Sequence, residues 1–215
     1  GRNAPAFKPF AGRALDEYAI SCKINTRHGS ERIARAAFEY ARKHGRKKVT
    51  IIHKANVVRA TDGLFLEMAR KVAADYPEIA CDDANIDAIC MWLLKNPLSY
   101  EVLVAPNLYG DIISDLAAQM VGGLGFGCSG NIGTKLGVFE PSHGSAPKYA
   151  GMYKVNPIAT ILAAKMMLDW LGETEMAGRI EAATAAVIAE GQVRTYDMGG
   201  SATTLDLGRA IAAKL

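Results

Sequence analysis

The 215-residue chain contains no apolar run of membrane-spanning length, and its N-terminus lacks the basic-then-apolar layout of a secretion signal. No membrane association is therefore expected, and a cytoplasmic location is. Charge of one sign is equally scarce: 25 Lys and Arg against 22 Asp and Glu leave a net +3. That is too little to argue for a nucleic-acid partner, and no DNA- or RNA-binding motif occurs; its use is local, in attracting anionic ligands. Cysteine is sparse, and Cys22, Cys81, Cys90 and Cys128 show neither C-x-x-C nor Cys/His ligand spacing. Buried free thiols in a reducing compartment are the expectation. Despite 21 glycines there is no G-x-G-x-x-G after a strand, so the Rossmann fingerprint is absent. Internal repeats and low-complexity segments are absent too. The first residue is Gly1 rather than Met, as expected of a processed chain or a piece of something longer.

What is present is ordinary globular composition, 50% apolar and 22% charged, enough for one large domain or two small ones. Residues 1–16 are punctuated by Pro and Gly, and residues 19–24 alternate as a strand does. Ser30 then precedes a helical pattern whose face is Ile33, Ala36, Ala37, Tyr40 and Ala41, with Gly45 as its stop. Val49-Thr50-Ile51-Ile52 reads as a buried strand ending at His53-Lys54. Thr61 is placed to cap a helix carrying Leu64, Phe65, Met68, Ala69 and Val72. A further helix is expected over 86–95, a strand over 102–105 and a helix starting at Asp111. Residues 122–133 hold six glycines in twelve positions. Beyond them Val138-Phe139-Glu140 reads as a short strand. Asn156-Pro157 is a helix start, with Gly172 as its end. Helices over 174–190 and 203–214 complete the chain. Strands alternate with helices, so the class is α/β, with a seam near Gly122.

Three places carry chemistry. In Asn107-Leu108-Tyr109-Gly110-Asp111-Ile112-Ile113-Ser114-Asp115 an apolar run gives way to two carboxylates one helical turn apart. Like charges at that spacing repel by a few tenths of a kcal/mol. A hard divalent cation, Mg²⁺ or Mn²⁺, removes the repulsion; the alternative is a solvated acidic helix start, favoured by the helix dipole. Lys54 follows a buried strand, where ligand-facing side chains collect in α/β folds; it suits an anionic substrate or a proton transfer, or it is a strand-end surface lysine. Asp87, in an apolar helical window, serves as a metal ligand or as a cap. Residues 143–149 (His143, Gly144, Ser145, Ala146, Pro147, Lys148, Tyr149) and Asn156 form a loop able to wrap a nucleotide, with Lys148 offered to phosphate.

Together NLYGDIISD, GGLGFGCSGNIG and HGSAPKYAG…KVNP, in this order and spacing, resemble the isocitrate/isopropylmalate dehydrogenases, the β-decarboxylating hydroxyacid dehydrogenases. The resemblance runs from about Ile20 to Leu215. It implies the fold of that family, with two α/β domains: a clasp or strand remnant over 1–24, a small domain with the dimer interface and metal aspartates over 25–121, and the C-terminal part of the large cofactor domain over 122–215. It further implies that Asp111 and Asp115 hold Mg²⁺ or Mn²⁺, and that Asp87 joins them from the neighbouring subunit of a homodimer with a shared site. By the same resemblance Lys54 is catalytic and also reaches across the dimer interface, Asn56 lies near substrate and nicotinamide, and residues 143–149, Asn156 and Tyr196 hold the adenosine part of the cofactor.

The substrate implied is a small hydroxy-tricarboxylate. His53-Lys54-Ala55-Asn56 is less like the DKAN of isopropylmalate enzymes than like the isocitrate or homoisocitrate branches, most of all isocitrate. Lys148-Tyr149 with Tyr196 looks like the NADP pattern, whereas Met198-Gly199-Gly200 looks like NAD-using members; the balance tilts to NADP over NAD. The family also carries a preceding section with a serine/arginine clamp and a catalytic tyrosine, which residues 1–18 do not match. By this reading the large domain lacks its N-terminal part, and the chain alone is inactive or poorly folded. The alternatives are a homoisocitrate or 3-isopropylmalate enzyme, and a truncated or non-catalytic subunit of a hetero-oligomer.

Overall fold

A threonine sets the first helix. In the computed structural model, which describes Ala19 and residues 21–215, the Thr26 hydroxyl accepts the Gly29 N–H at 3.0 Å and starts α1 (Arg27–Lys43). Its buried face is Ser30, Ala34, Phe38 and Ala41. The stripe expected through Ile33 and Tyr40 is instead half exposed, at 48% and 55%. The two stripes lie about 100° apart on a helix. The one with small residues wins, because Ser30 and Ala34 allow close approach while Phe38 stacks on Tyr76 with centroids 5.0 Å apart.

Three parallel strands follow: β1 (Lys48–His53), β2 (Ala80–Asn85) and β3 (Val102–Val104), in the order β2-β1-β3. β1 is central, paired Thr50 to Asp82 on one side and Thr50 to Leu103 on the other, and it is buried from Val49 to His53. Such a strand reads as the continuous apolar run seen in the sequence. β2, sequence Ala-Cys-Asp-Asp-Ala-Asn, shows no such signal and lies on the edge. The parallel ladder and its acids hold it: Asp82 takes the Thr50 hydroxyl at 2.6 Å and the Lys48 ammonium at 2.7 Å. α2 (Arg59–Ala73) contributes Phe65, Ala69 and Val72 to a core shared with α1, β1 and β3. It begins two residues before Thr61, so Thr61 lies in its first turn and does not cap it. No strand forms over 21–24; there Lys23 and Asn25 tie the backbone to α2 through Asp62 and the Thr61 carbonyl.

The molecule divides into two compact units. One holds the described residues up to Ile86 with Leu98–Pro106; the other holds Asp87–Pro97 and Asn107–Leu215. The division thus falls near both ends of α3 (Ile86–Lys95) and before α4 (Asn107–Met120), which packs with the glycine-rich segment that follows it. In the second unit the glycine-rich segment forms β4 (Cys128–Ile132), antiparallel to β5 (Gly137–Pro141). β4 was not evident from sequence. A Cβ on Gly130 would meet Met166 Sδ at 2.9 Å and the Phe139 ring at 3.2 Å, so glycine here makes room for packing. α5 (Ile158–Leu171), α6 (Thr174–Glu190) and α7 (Thr204–Ala212) supply a second core of Ile158, Ala183, Val187, Leu207 and Ile211. Gly172 and Gly191 end α5 and α6 in the left-handed conformation, as their positions in the sequence predict.

The thiols are free, but Cys22 and Cys81 are exposed and Cys90 and Cys128 half-buried, contrary to the expectation of buried thiols. Cys81 is exposed because it lies on the edge strand. No described helix is long and apolar enough to cross a membrane.

Candidate active site

In the first unit, Lys54 is the first residue after β1, half-buried at the head of a turn, with Asn56 exposed two residues on. The carboxyl ends of β1 and β3 face the same sheet edge because the strands are parallel. Lys54 leaves one of them, and Ala105-Pro106 leave the other towards α4. Ligands collect at such edges in α/β folds. The Lys54 backbone N–H donates to the fully buried Asp62 at 2.9 Å, and His53, also buried, takes the next N–H, that of Ala55, at 3.0 Å.

In the second unit, Asp111 and Asp115 lie on the exposed face of α4. α4 starts at Asn107, not at Asp111, and has no acid in its first turn. The dipole that favours acids there falls off within one turn, so the solvated helix-start reading loses its support. Among the described residues neither carboxylate is in an ion pair, and Asn107 Nδ2 reaches Asp111 only at 3.5 Å. Two unneutralised carboxylates one turn apart are hard oxygen donors and fit Mg²⁺ or Mn²⁺, although a hard cation takes about six ligands or more. Asp87, exposed in the first turn of α3, does not join them: among the described residues no three His, Cys, Asp or Glu side chains are grouped to hold a metal ion.

The loop after β5 is the third part. Ala146 adopts φ 44°, ψ 57°, a left-handed backbone that non-glycine residues rarely take, ahead of a single turn over Pro147–Tyr149. His143 donates Nδ1–H to the Gly144 carbonyl at 2.9 Å, while Gly144, Ser145, Pro147 and Lys148 are exposed. Tyr149 and Tyr196 face each other at 5.8 Å, with Lys148 4.8 Å from the Tyr149 ring. Lys154 lies 5.2 Å and 4.7 Å from the Tyr149 and Tyr196 rings. Lys148, and then the Tyr196 hydroxyl donating to it, hold the Tyr149 phenol below its ordinary pKa; Tyr196 is raised, chiefly by that same bond. A cavity of about 260 Å³ adjoins them, walled by Tyr153, Lys154, Tyr196, Ser201 and Thr203.

Asn156 is nearly fully buried, with its amide engaged at both ends: Oδ1 accepts the Ile158 N–H at 3.0 Å, and Nδ2 donates to Asp197 at 3.0 Å. Its capping role matches the sequence reading within one residue of the helix start. Lys154, His53, Asp62 and Asp83 are site residues that the sequence does not mark as such. Only the buried His beside a strand-end Lys left a trace, in the His53-Lys54-Ala55-Asn56 motif.

With this geometry established, comparison with known proteins yields concordant relatives. The sequence model described as isocitrate/isopropylmalate dehydrogenase matches residues 9–211. The chain is 53% identical over 196 residues to mitochondrial isocitrate dehydrogenase [NAD] catalytic subunit 6 of Arabidopsis thaliana, covering 91% of this chain and 52% of that protein. It is 49% identical over 193 residues to the 3-isopropylmalate dehydrogenase of Archaeoglobus fulgidus, covering 90% and 59%. The crystal structure of isocitrate dehydrogenase from Methylococcus capsulatus superposes with a TM-score of 0.88 at 46% identity, over 94% of this chain and 61% of that one. The chain thus spans little more than half the length of the curated relatives it matches. Its motifs, its α/β architecture and these matches agree, and the chain belongs to the isocitrate/isopropylmalate dehydrogenase family.

Proposed function

We propose that the whole protein carrying this chain is a metal-dependent dehydrogenase that oxidises and decarboxylates isocitrate to 2-oxoglutarate, with hydride passing to NAD. The observation that carries the reading is the α4 pair, Asp111 and Asp115, exposed and without an ion-pair partner among the described residues. These two would hold the divalent cation, with Asp87 contributed by the neighbouring subunit of a homodimer. Its failure to join the pair within one chain supports that division, as do the exposed apolar side chains Met91, Trp92 and Leu94 on α3 and Leu108 and Ile112 on α4.

When bound, the cation polarises the substrate's hydroxyl and carboxylate oxygens. Lys54 accepts the hydroxyl proton as hydride leaves the same carbon for the nicotinamide. The bond to the β-carboxylate then breaks, CO₂ departs with the electron pair left behind, and Lys54 returns a proton to the carbon. Asn56 lies beside substrate and nicotinamide. Residues 143–149, Asn156 and Tyr196 hold the adenosine part.

NAD is favoured over NADP by the name of the 53% identical Arabidopsis relative, isocitrate dehydrogenase [NAD] catalytic subunit 6. NADP stands second on one observation, the Lys148 and Lys154 ammonium groups gathered at Tyr149 and Tyr196. Isopropylmalate or homoisocitrate stands second as substrate, since a 49% identical relative is a 3-isopropylmalate dehydrogenase.

The test is nicotinamide reduction, followed at its near-ultraviolet band, with isocitrate and Mg²⁺ and with NAD and NADP in parallel. Turnover with NAD is the expected result. Reduction with isopropylmalate alone would move the substrate, and folded protein inactive with every pair would overturn the enzyme reading in favour of a non-catalytic subunit.

A further inference from the structure

The turn that carries Lys54 is held by two buried side chains to which the proposed reaction gives no role. A residue just past a strand has left the repeating ladder, so something else must set its φ and ψ. Here both main-chain groups of Lys54 and the N–H that follows are engaged. The Lys54 N–H donates to Asp62 Oδ2 at 2.9 Å, and the Lys54 carbonyl accepts the Val57 and Val58 N–H groups at 2.9 Å and 2.8 Å. The Ala55 N–H donates to His53 Nδ1 at 3.0 Å.

Both side chains are themselves fixed. Asp62 is 0% exposed, and its second oxygen takes the Lys23 ammonium at 2.5 Å. Because His53 Nδ1 accepts, Nε2 carries the hydrogen and donates to Asp83 at 2.9 Å; the other Asp83 oxygen takes Arg70 at 2.6 Å. A carboxylate on one ring nitrogen thus sets the tautomer that the other nitrogen needs.

Resting on the reading of Lys54 as the proton-transfer group, we propose that His53 and Asp62 are positioning residues. They fix the peptide planes on either side of Lys54 and so the direction in which its ammonium leaves the sheet. Asp83 acts through His53. Misplacing a proton-transfer group by about 1 Å is enough to lower kcat about a hundredfold.

The experiment compares kcat, KM for isocitrate and amide exchange in the whole protein. His53→Phe keeps the bulk and removes the acceptor; it is expected to lower kcat about 10- to 100-fold, leave KM little changed, and strip the Ala55 amide of its protection. His53→Asn restores an oxygen that reaches the N–H two residues on, the geometry of an Asx turn, and should recover most of kcat and the protection. If His53→Phe does not fold, Asp83→Ala at a partly exposed position asks the same question, and is expected to lower kcat several-fold at constant KM. Lys54→Ala, assayed alongside, separates the two readings. Full turnover in Lys54→Ala removes the role of Lys54 and the positioning role with it. An inactive Lys54→Ala beside an undiminished His53→Phe, or His53→Asn no better than His53→Phe, overturns the positioning role alone.

Discussion

Charge at Asp111 and Asp115 is the residue-level feature with the widest consequence. Their mutual repulsion on an exposed helix is small, but no ion pair among the described residues offsets it, and a bound cation would. Asp111→Asn removes half of the donor pair, and the variant is expected to lose Mn²⁺ binding by calorimetry together with metal-dependent turnover; activity retained at the parent's metal dependence would remove the assignment. Asp83 makes a second prediction. Burial pushes its carboxyl up, but the His53 and Arg70 hydrogen bonds outweigh that and hold it below the ordinary carboxylate value. A folded-state pKa below the unfolded one stabilises above the unfolded pKa, about 3.9, and that contribution is lost as pH falls through the lowered value. Asp83→Ala should therefore flatten the acid side of the stability profile below about pH 4, read by urea unfolding at a series of pH values. An unchanged acid slope would contradict the shift.

Elements show where glycine and capping matter. Gly125 sits where a Cβ would lie 2.9 Å from Asp197 Oδ2 and 3.0 Å from Asn156 Cβ. Those two residues, with Thr195 donating to Asp197 at 2.5 Å, tie the start of α5 to the turn carrying Tyr196. Gly125→Ala is expected to cost about 1–3 kcal/mol of stability by denaturant unfolding, the range for overpacking. At the C-terminal helix, Thr203 and Asp206 form a reciprocal capping box around the start of α7. Thr203→Ala is expected to cost about 1 kcal/mol, measured the same way.

At the scale of the whole molecule, the exposed apolar side chains bear on association. Leu108 and Ile112 on α4 and Met91, Trp92 and Leu94 on α3 expose apolar surface within one unit. If this surface is the dimer interface, Ile112→Lys should shift sedimentation of the whole protein towards monomer and lower turnover, since Asp87 would no longer reach the neighbouring site. A dimer unchanged by Ile112→Lys would place the interface elsewhere.

Some of this was legible from residue order alone. The central strand, the helix ends at Gly172 and Gly191, the family and the one-turn spacing of Asp111 and Asp115 all depend on interactions within a few residues or on a continuous pattern. Helix period, the φ freedom of glycine and the apolar run of a doubly covered strand are local facts. What only the tertiary structure decided depends on partners distant in sequence. β2 is a strand because β1 lies beside it and Asp82 and Asp83 find Thr50, Lys48, His53 and Arg70. β4 is a strand because Gly130 admits Phe139 and Met166. The face of α1 is set by Phe38 meeting Tyr76, not by the count of its apolar residues. For the same reason Asp62, an ordinary first-turn acid in the sequence, became a buried anchor of Lys54: the hydrogen bond that makes it one crosses from a helix to the end of a strand.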